Sequence, residues 1–217
     1  MNYGGADGIL LSGSPNQGAP YTSLGMSFIN VDAPGQGGSL RLKKIYAPPD
    51  SERYAKTVVD YLVTRSDVDP DRIGIIGSSM GGYTAPRSCS GEKRFKACAT
   101  WSSSFALQRD IFDYYPPIQD KLRWLIGAKN LQEARAKMAE FTLQTRVREI
   151  EAALLIGYST DDRVMNPGGA RELYDKAVNA RSREVVLGTG HFVGGPPPPV
   201  NRTTYIANWF AKQFGTA

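Results

Sequence analysis

One histidine and two cysteines are all that this chain holds of those two residues. Cys89 and Cys98 cannot build a disulfide framework, and neither stands in a metal-ligand spacing. Cys98 lies in an apolar run and reads as a buried thiol, so a reducing, cytoplasmic setting is expected. No stretch approaches the roughly 18 uninterrupted apolar residues of a membrane span. The opening Met1-Asn2-Tyr3-Gly4-Gly5-Ala6-Asp7 lacks the basic-then-apolar pattern of a secretory signal. Lys and Arg number 26 against 21 Asp and Glu, a net charge of +5. They are scattered, with no aromatic platform interleaved, so neither a nucleic acid nor a membrane is an expected partner. Asp32-Ala33-Pro34-Gly35-Gln36-Gly37 has the glycines of a phosphate-cradling loop but not its Lys-Ser/Thr ending. It reads as a structural turn beneath a pocket. No cofactor and no metal are expected, and there are no internal repeats.

What is present is ordinary for a soluble globular protein: 217 residues, 41% hydrophobic and 22% charged. That length suits a single domain over 1–217 with a real core. Short apolar runs recur at Gly8–Leu11, Ser27–Val31, Arg72–Ile76, Lys96–Trp101, Ala152–Ile156 and Glu184–Leu187. Most are apolar on both faces, as buried parallel strands are. Helical patterns separate them. Ser51 can cap a helix running to about Thr64, with Tyr54, Ala55, Val58, Val59 and Leu62 on one face. A helix should follow Ser79, and Asn130 with Glu133 forms a capping-box signal for one running to about Phe141. Gly169–Val178 and Asn201–Phe214 complete the set. Strands alternating with helices predict an α/β fold, a mostly parallel sheet of about six strands covered on both faces.

Two regions break the rhythm. Residues 105–147 are too long for one crossover helix and carry Phe112, Tyr114, Tyr115, Trp124 and Phe141. They read as a small helical insertion, a lid over the sheet's carboxyl edge, with Tyr114, Tyr115 and Trp124 as candidate substrate contacts. Extra packing helices are the plainer alternative. Pro196–Pro199 reads as a stiff extended connector.

The chemistry concentrates at three strand ends. Arg72–Gly82 contains Gly77-x-Ser79-x-Gly81 after an apolar strand and before a helix-compatible stretch. A serine nucleophile needs a base beside it and access to substrate, and a sharp strand-to-helix turn supplies both. Glycines flank it because the turn leaves no room for side chains. The Met80 amide then lies at a helix start, where it can donate to an oxyanion. The bare pattern is weak in a chain with 23 glycines; its context sharpens it. His191 sits in Gly188-Thr189-Gly190-His191-Phe192, just past the last strand, where α/β ligand sites form. No other side chain is as well suited to act as a base near neutral pH. Asp161 follows the preceding strand and can orient the imidazole. Asp162 is its rival, since adjacent residues point different ways. The second oxyanion donor is expected from the loop after the first run, at the Ser14 amide; Pro15 has no N–H.

The order Ser, Asp, His and the surrounding residues resemble the α/β-hydrolase superfamily. More narrowly, the resemblance is to the group that holds the FrsA-like esterases and 2,6-dihydroxypseudooxynicotine hydrolase. It rests on Gly25–Gly37, Val68–Ile73, the Gly77–Gly82 turn, the Asn130–Thr142 helix and the Asp161 segment, and covers nearly the whole chain. It implies hydrolysis of a carboxylic ester, or of a carbon–carbon bond beside a ketone, through Ser79, Asp161 and His191 with Met80 in the oxyanion hole. Asp161-Asp162-Arg163-Val164 is also similar to prolyl oligopeptidase-like peptidases, whose first Asp serves, which favours Asp161. Relatives carry further strands before the one near Ile9, so N-terminal strands are expected to be missing here.

The expected function is therefore a carboxylesterase-like serine hydrolase acting on a small ester or acyl substrate. A peptidase or acyltransferase on the same triad is the first alternative. A catalytically silent binding domain is the second, and a homodimer is left open.

Overall fold

The computed structural model describes residues 1–10, 15–191 and 201–216. Its centre is a five-stranded sheet in which every neighbouring pair is parallel and the spatial order follows the chain. The strands are β1 (Asn2–Tyr3), β2 (Ile73–Ser78), β3 (Phe95–Trp101), β4 (Ala153–Ser159) and β5 (Arg183–Gly188). The helices are α1 (Ala19–Thr22), α2 (Gly37–Arg41), α3 (Ser51–Leu62), α4 (Gly81–Gly91), α5 (Gln119–Leu125), α6 (Leu131–Met138), α7 (Pro167–Lys176) and α8 (Arg202–Phe214).

Strand side chains alternate between two faces, and here both faces are apolar. Ile73, Ile75, Cys98, Leu154 and Ile156 join the core shared with Val59, Tyr83 and Leu173 of α3, α4 and α7. Ile76, Ala97, Ala99, Trp101, Ala153 and Leu155 face the other way, onto Tyr21 of α1 and Ile206, Trp209 and Phe210 of α8. Small residues on that second face let the α8 aromatics approach. A β-carbon on Gly74 would stand 2.6 Å from the Phe210 ring, and one on Gly157 2.2 Å from Trp101. Both cysteines are buried.

The expected architecture of helices on both faces of a parallel sheet is found, with five strands among the described residues where about six are expected. Of the expected strand at Gly8–Leu11, the described residues Gly8 to Leu10 are loop, with Ile9 and Leu10 exposed. Ser27–Val31 contributes only a single bridge, Asn30 to Asn2. The edge strand is Asn2–Tyr3, two residues too short to carry a periodic signal. The helix starts fare better. Asn130 accepts from the Glu133 amide and caps α6, and Glu133 in return accepts from the Lys129 amide. Asn201 caps α8 through the Thr203 amide. Ser51 is the first residue of α3 rather than its cap, and its hydroxyl donates to the Thr84 carbonyl oxygen of α4.

Between β3 and β4 lie a π-helical turn (Gln108–Phe112), a 3-10 turn (Pro116–Ile118), α5 and α6. Asp110 anchors this stretch. It is fully buried, and its carboxylate accepts from the Ser104 hydroxyl (3.0 Å), the Phe105 and Ala106 amides (2.8 and 2.9 Å) and Arg109 Nε (2.6 Å). Leu122, Leu125, Met138 and Phe141 sink into the core of the α3–α4–α7 face. Pro196–Pro199 lies outside the described residues. Among the described residues no helix is long and apolar enough to cross a membrane.

Candidate active site

The carboxyl ends of β2, β4 and β5 meet at one edge of the sheet. β2 ends at Ser78, and Ser79 follows with φ of +58°, in the left-handed region that L side chains rarely adopt. The strain is held in place. The Ser79 amide donates to the Trp101 carbonyl oxygen of the neighbouring strand (2.8 Å), and α4 begins two residues later. The glycines are obligatory for space. A β-carbon on Gly77 would stand 1.9 Å from the Gly81 carbonyl oxygen, one on Gly81 2.6 Å from that of Tyr3, and one on Gly82 2.7 Å from that of Ser102. This close packing turns Ser79 outward at the strand end.

His191 lies three residues beyond β5, in a turn whose Gly190 has φ of +65°. With its proton on Nδ1, the imidazole donates to Asp162 Oδ2 at 2.9 Å, and Nε2 accepts from the Ser79 hydroxyl at 3.0 Å. Asp162 Oδ1 accepts in turn from the Val164 and Met165 amides at 2.8 and 2.9 Å. The Asp162 side chain is 2% exposed and that of His191 14%. Burial pushes the Asp162 carboxyl up, but the bonds from His191, Met165 and Val164 outweigh it and hold the group below the usual carboxylate range.

The structure thus brings Ser79 and His191 together and corrects the expected acid. Asp162, not Asp161, faces the imidazole. Asp161 is turned to the other side of the tip, where its Oδ1 accepts from the Gly190 amide (2.9 Å) and from the Ser159 hydroxyl. Hydrogen bonding from Ser159 and then Gly190 lowers its carboxyl too. The residues alone do not separate the two, because both are Asp in one turn, and the resemblance that favours the first Asp does not hold for this geometry. The choice is made by where β5 places the histidine. Ser102, also left-handed at φ of +52°, donates its hydroxyl to the His191 carbonyl oxygen, a contact that spacing along the chain does not reveal.

Ser14 lies outside the described residues. The loop after the edge strand that touches Ser79 is Gly4–Gly8. A β-carbon on Gly5 would stand 3.0 Å from Ser79 Cβ and 3.4 Å from its Oγ. Displacing the edge strand from Gly8–Leu11 to Asn2–Tyr3 moves this loop forward along the chain. Met80 opens the turn into α4. Of the candidate substrate contacts, Tyr114 donates its hydroxyl to the Asp162 carbonyl oxygen (2.9 Å), tying the insertion to the site. Tyr115 is half-buried, and its amide bonds back to Ile111. Trp124 is placed instead between Arg41 and Lys121, whose cations lie 5.4 and 5.5 Å from its ring.

A parallel sheet flanked by helices, with serine, carboxylate and histidine in that order at three strand ends, defines the α/β-hydrolase fold. The profile of the prolyl oligopeptidase family matches residues 54–217, and the chain belongs to that family of α/β-hydrolases. It is 33% identical over 123 residues, 56% of its length, to 2,6-dihydropseudooxynicotine hydrolase of Paenarthrobacter nicotinovorans. That stretch is 32% of the relative, so the chain spans about a third of this curated relative's length. The solved structure of 2,6-dihydroxy-pseudo-oxynicotine hydrolase superposes with a TM-score of 0.86 at 24% identity, over 98% of this chain and 59% of that one. An acetyl xylan esterase from Paenibacillus sp. R4 superposes at 0.71 with 20% identity, over 97% and 72%. At these identities both show the shared fold.

Proposed function

We propose that this chain is a serine hydrolase that cleaves a carboxylic ester, or a related bond beside a carbonyl, through an acyl-enzyme. The observation that carries the reading is the chain of contacts from Ser79 Oγ to His191 Nε2 at 3.0 Å and from His191 Nδ1 to Asp162 at 2.9 Å. His191 takes the hydroxyl proton as Ser79 Oγ attacks the carbonyl carbon. Asp162 stays ionised, holds the tautomer and offsets the imidazolium charge. The oxyanion is held by the Met80 amide and by an amide of the Gly5–Ala6 stretch that packs on Ser79. His191 then protonates the leaving group. Water, deprotonated by the same nitrogen, releases the acid. The segment 105–147 acts as the lid, joined to the site by Tyr114.

Membership of the prolyl oligopeptidase family supports a second reading on the same groups, amide-bond cleavage. The named relative supports attack beside a ketone. A panel of p-nitrophenyl esters, aminoacyl amides and β-diketones ranks the three by kcat/KM. For Ser79→Ala, turnover should fall by about 10⁴-fold or more with the fold retained. Retention of the parental rate on p-nitrophenyl acetate would refute the proposal. A fluorophosphonate probe should tag the peptide bearing Ser79 in the parent and nothing in the variant.

A further inference from the structure

The Asp32–Gly37 turn has no part in proton transfer, yet it is built with unusual constraint. Gly35 and Gly37 are left-handed at φ of +83° and +42°. A β-carbon on Gly35 would stand 2.5 Å from Ala47 Cβ, and one on Gly37 2.0 Å from the Asp32 carboxylate. This turn buries Gln36, which is 3% exposed. Its Nε2 donates both hydrogens, to the Gly4 carbonyl oxygen at 2.8 Å and to that of Gly5 at 2.7 Å. Two carbonyls can only accept, so the orientation of the amide is unambiguous. Asp32 grips the far end of the same loop, accepting from the Leu10 amide at 2.6 Å while its other oxygen accepts from Gly38 at 2.8 Å.

In a trans peptide the carbonyl and the following N–H point in opposite directions. Drawing the Gly4 and Gly5 carbonyls to one side therefore fixes where the N–H groups of Gly5 and Ala6 point. The Gly4 carbonyl oxygen lies over the start of α4, 2.9 Å from where a Gly81 β-carbon would stand. Gly5 itself rests against Ser79. Glycine peptides flip easily, and this loop has two in succession.

We infer that Gln36 is a positioning residue for acyl transfer: it locks the two glycine peptides of the Gly4–Ala6 loop so that their amides face the oxyanion beside Ser79. The inference rests on the acyl-enzyme reading above. Gln36→Glu keeps the size of the side chain but turns an acceptor toward both carbonyls, and Gln36→Met removes the donors without adding charge. Losing one oxyanion donor costs about 10²–10³ in kcat, so misaiming one should lower kcat on p-nitrophenyl acetate by roughly 10–100-fold. KM should stay within about threefold, because the substrate's ground state does not use the hole fully. The inflection of kcat/KM against pH should not move, since Gln36 does not touch His191 or Asp162. Affinity for a trifluoromethyl ketone, whose adduct carries the oxyanion, should fall in step with kcat, and so should the fluorophosphonate labelling rate.

Parental kcat and labelling rate in both variants, with Ser79→Ala inactive, overturn this inference and leave the acyl-enzyme reading intact. Parental turnover in Ser79→Ala overturns the reading, and the inference with it. Loss of the folded state in both variants, seen as a lost thermal transition, overturns it in favour of a purely structural brace.

Discussion

Asp161 and Asp162 are chemically identical neighbours, yet the fold gives them different work. Asp162 sits against the imidazole and accepts two further amides; Asp161 holds the Gly190 amide, one residue before the base. Their amide variants should therefore separate. Asp162→Asn turns a donor toward His191 and favours the wrong tautomer, which costs a triad about 10⁴ in kcat. Asp161→Asn keeps a carbonyl oxygen able to accept from Gly190, so it should cost about tenfold or less, well short of the loss that follows a wrong tautomer. Steady-state rates on one ester decide the point. Equal losses in the two variants would show that the assignment between them is wrong.

Among the elements, the stretch between β3 and β4 depends on Asp110. Its carboxylate satisfies two buried amides, a hydroxyl and Arg109, and its main-chain carbonyl accepts from the Asn166 amide just before α7. Asp110→Ala leaves buried donors without partners, at about 1–3 kcal/mol for each unsatisfied group. The variant should lose roughly 3 kcal/mol or more in urea-monitored unfolding, on the sum of two such groups. Gly169→Ala attacks the same junction from α7, because the added carbon would stand 2.1 Å from Asp110 Oδ2. The two lesions share one contact, so their costs should add to less than the sum in the double variant. Strict additivity would mean that Asp110 and Gly169 do not meet in solution.

Across the whole molecule, acid should be the weak side. Burial pushes Glu52 up, but Arg87 and Arg146 outweigh it and hold its carboxyl low. Glu92 and Glu172 behave alike through Arg94 and through Lys176 with Arg109. Asp162 is lowered by His191 and two amides. Each of these groups is depressed in the folded state, so the unfolded chain binds more protons as pH falls through the ordinary carboxylate range. The stabilisation is fully present above about pH 5 and is lost as pH drops below about 4 and on toward the folded values. Urea midpoints should match between pH 7 and 6 and fall steeply between pH 4 and 3. A flat profile down to pH 3 would mean that these carboxyls are not held low.

The sequence by itself determined the class of fold, the tight Gly77–Gly82 turn and the place of His191 just past the last strand. Apolar runs such as Ile73–Ile76 and Ala153–Ile156 are buried on both faces whatever the tertiary detail. Gly77, Gly81 and Gly82 mark a turn too tight for side chains, and a lone histidine past the last strand has few roles to fill. A local signal also found the cap of α6, since Asn130 bonds within its own first turn. Only the tertiary structure decided which of two adjacent carboxylates meets His191, that the edge strand is two residues at the very start, and that Gln36 reaches Gly4 and Gly5. The reason is one of range. Periodicity and capping are settled by neighbours a few residues apart, whereas these choices are made by groups 29 and 32 residues distant along the chain, brought together by the packing of β5 beside β4 and of the Asp32 turn beneath the edge of the sheet.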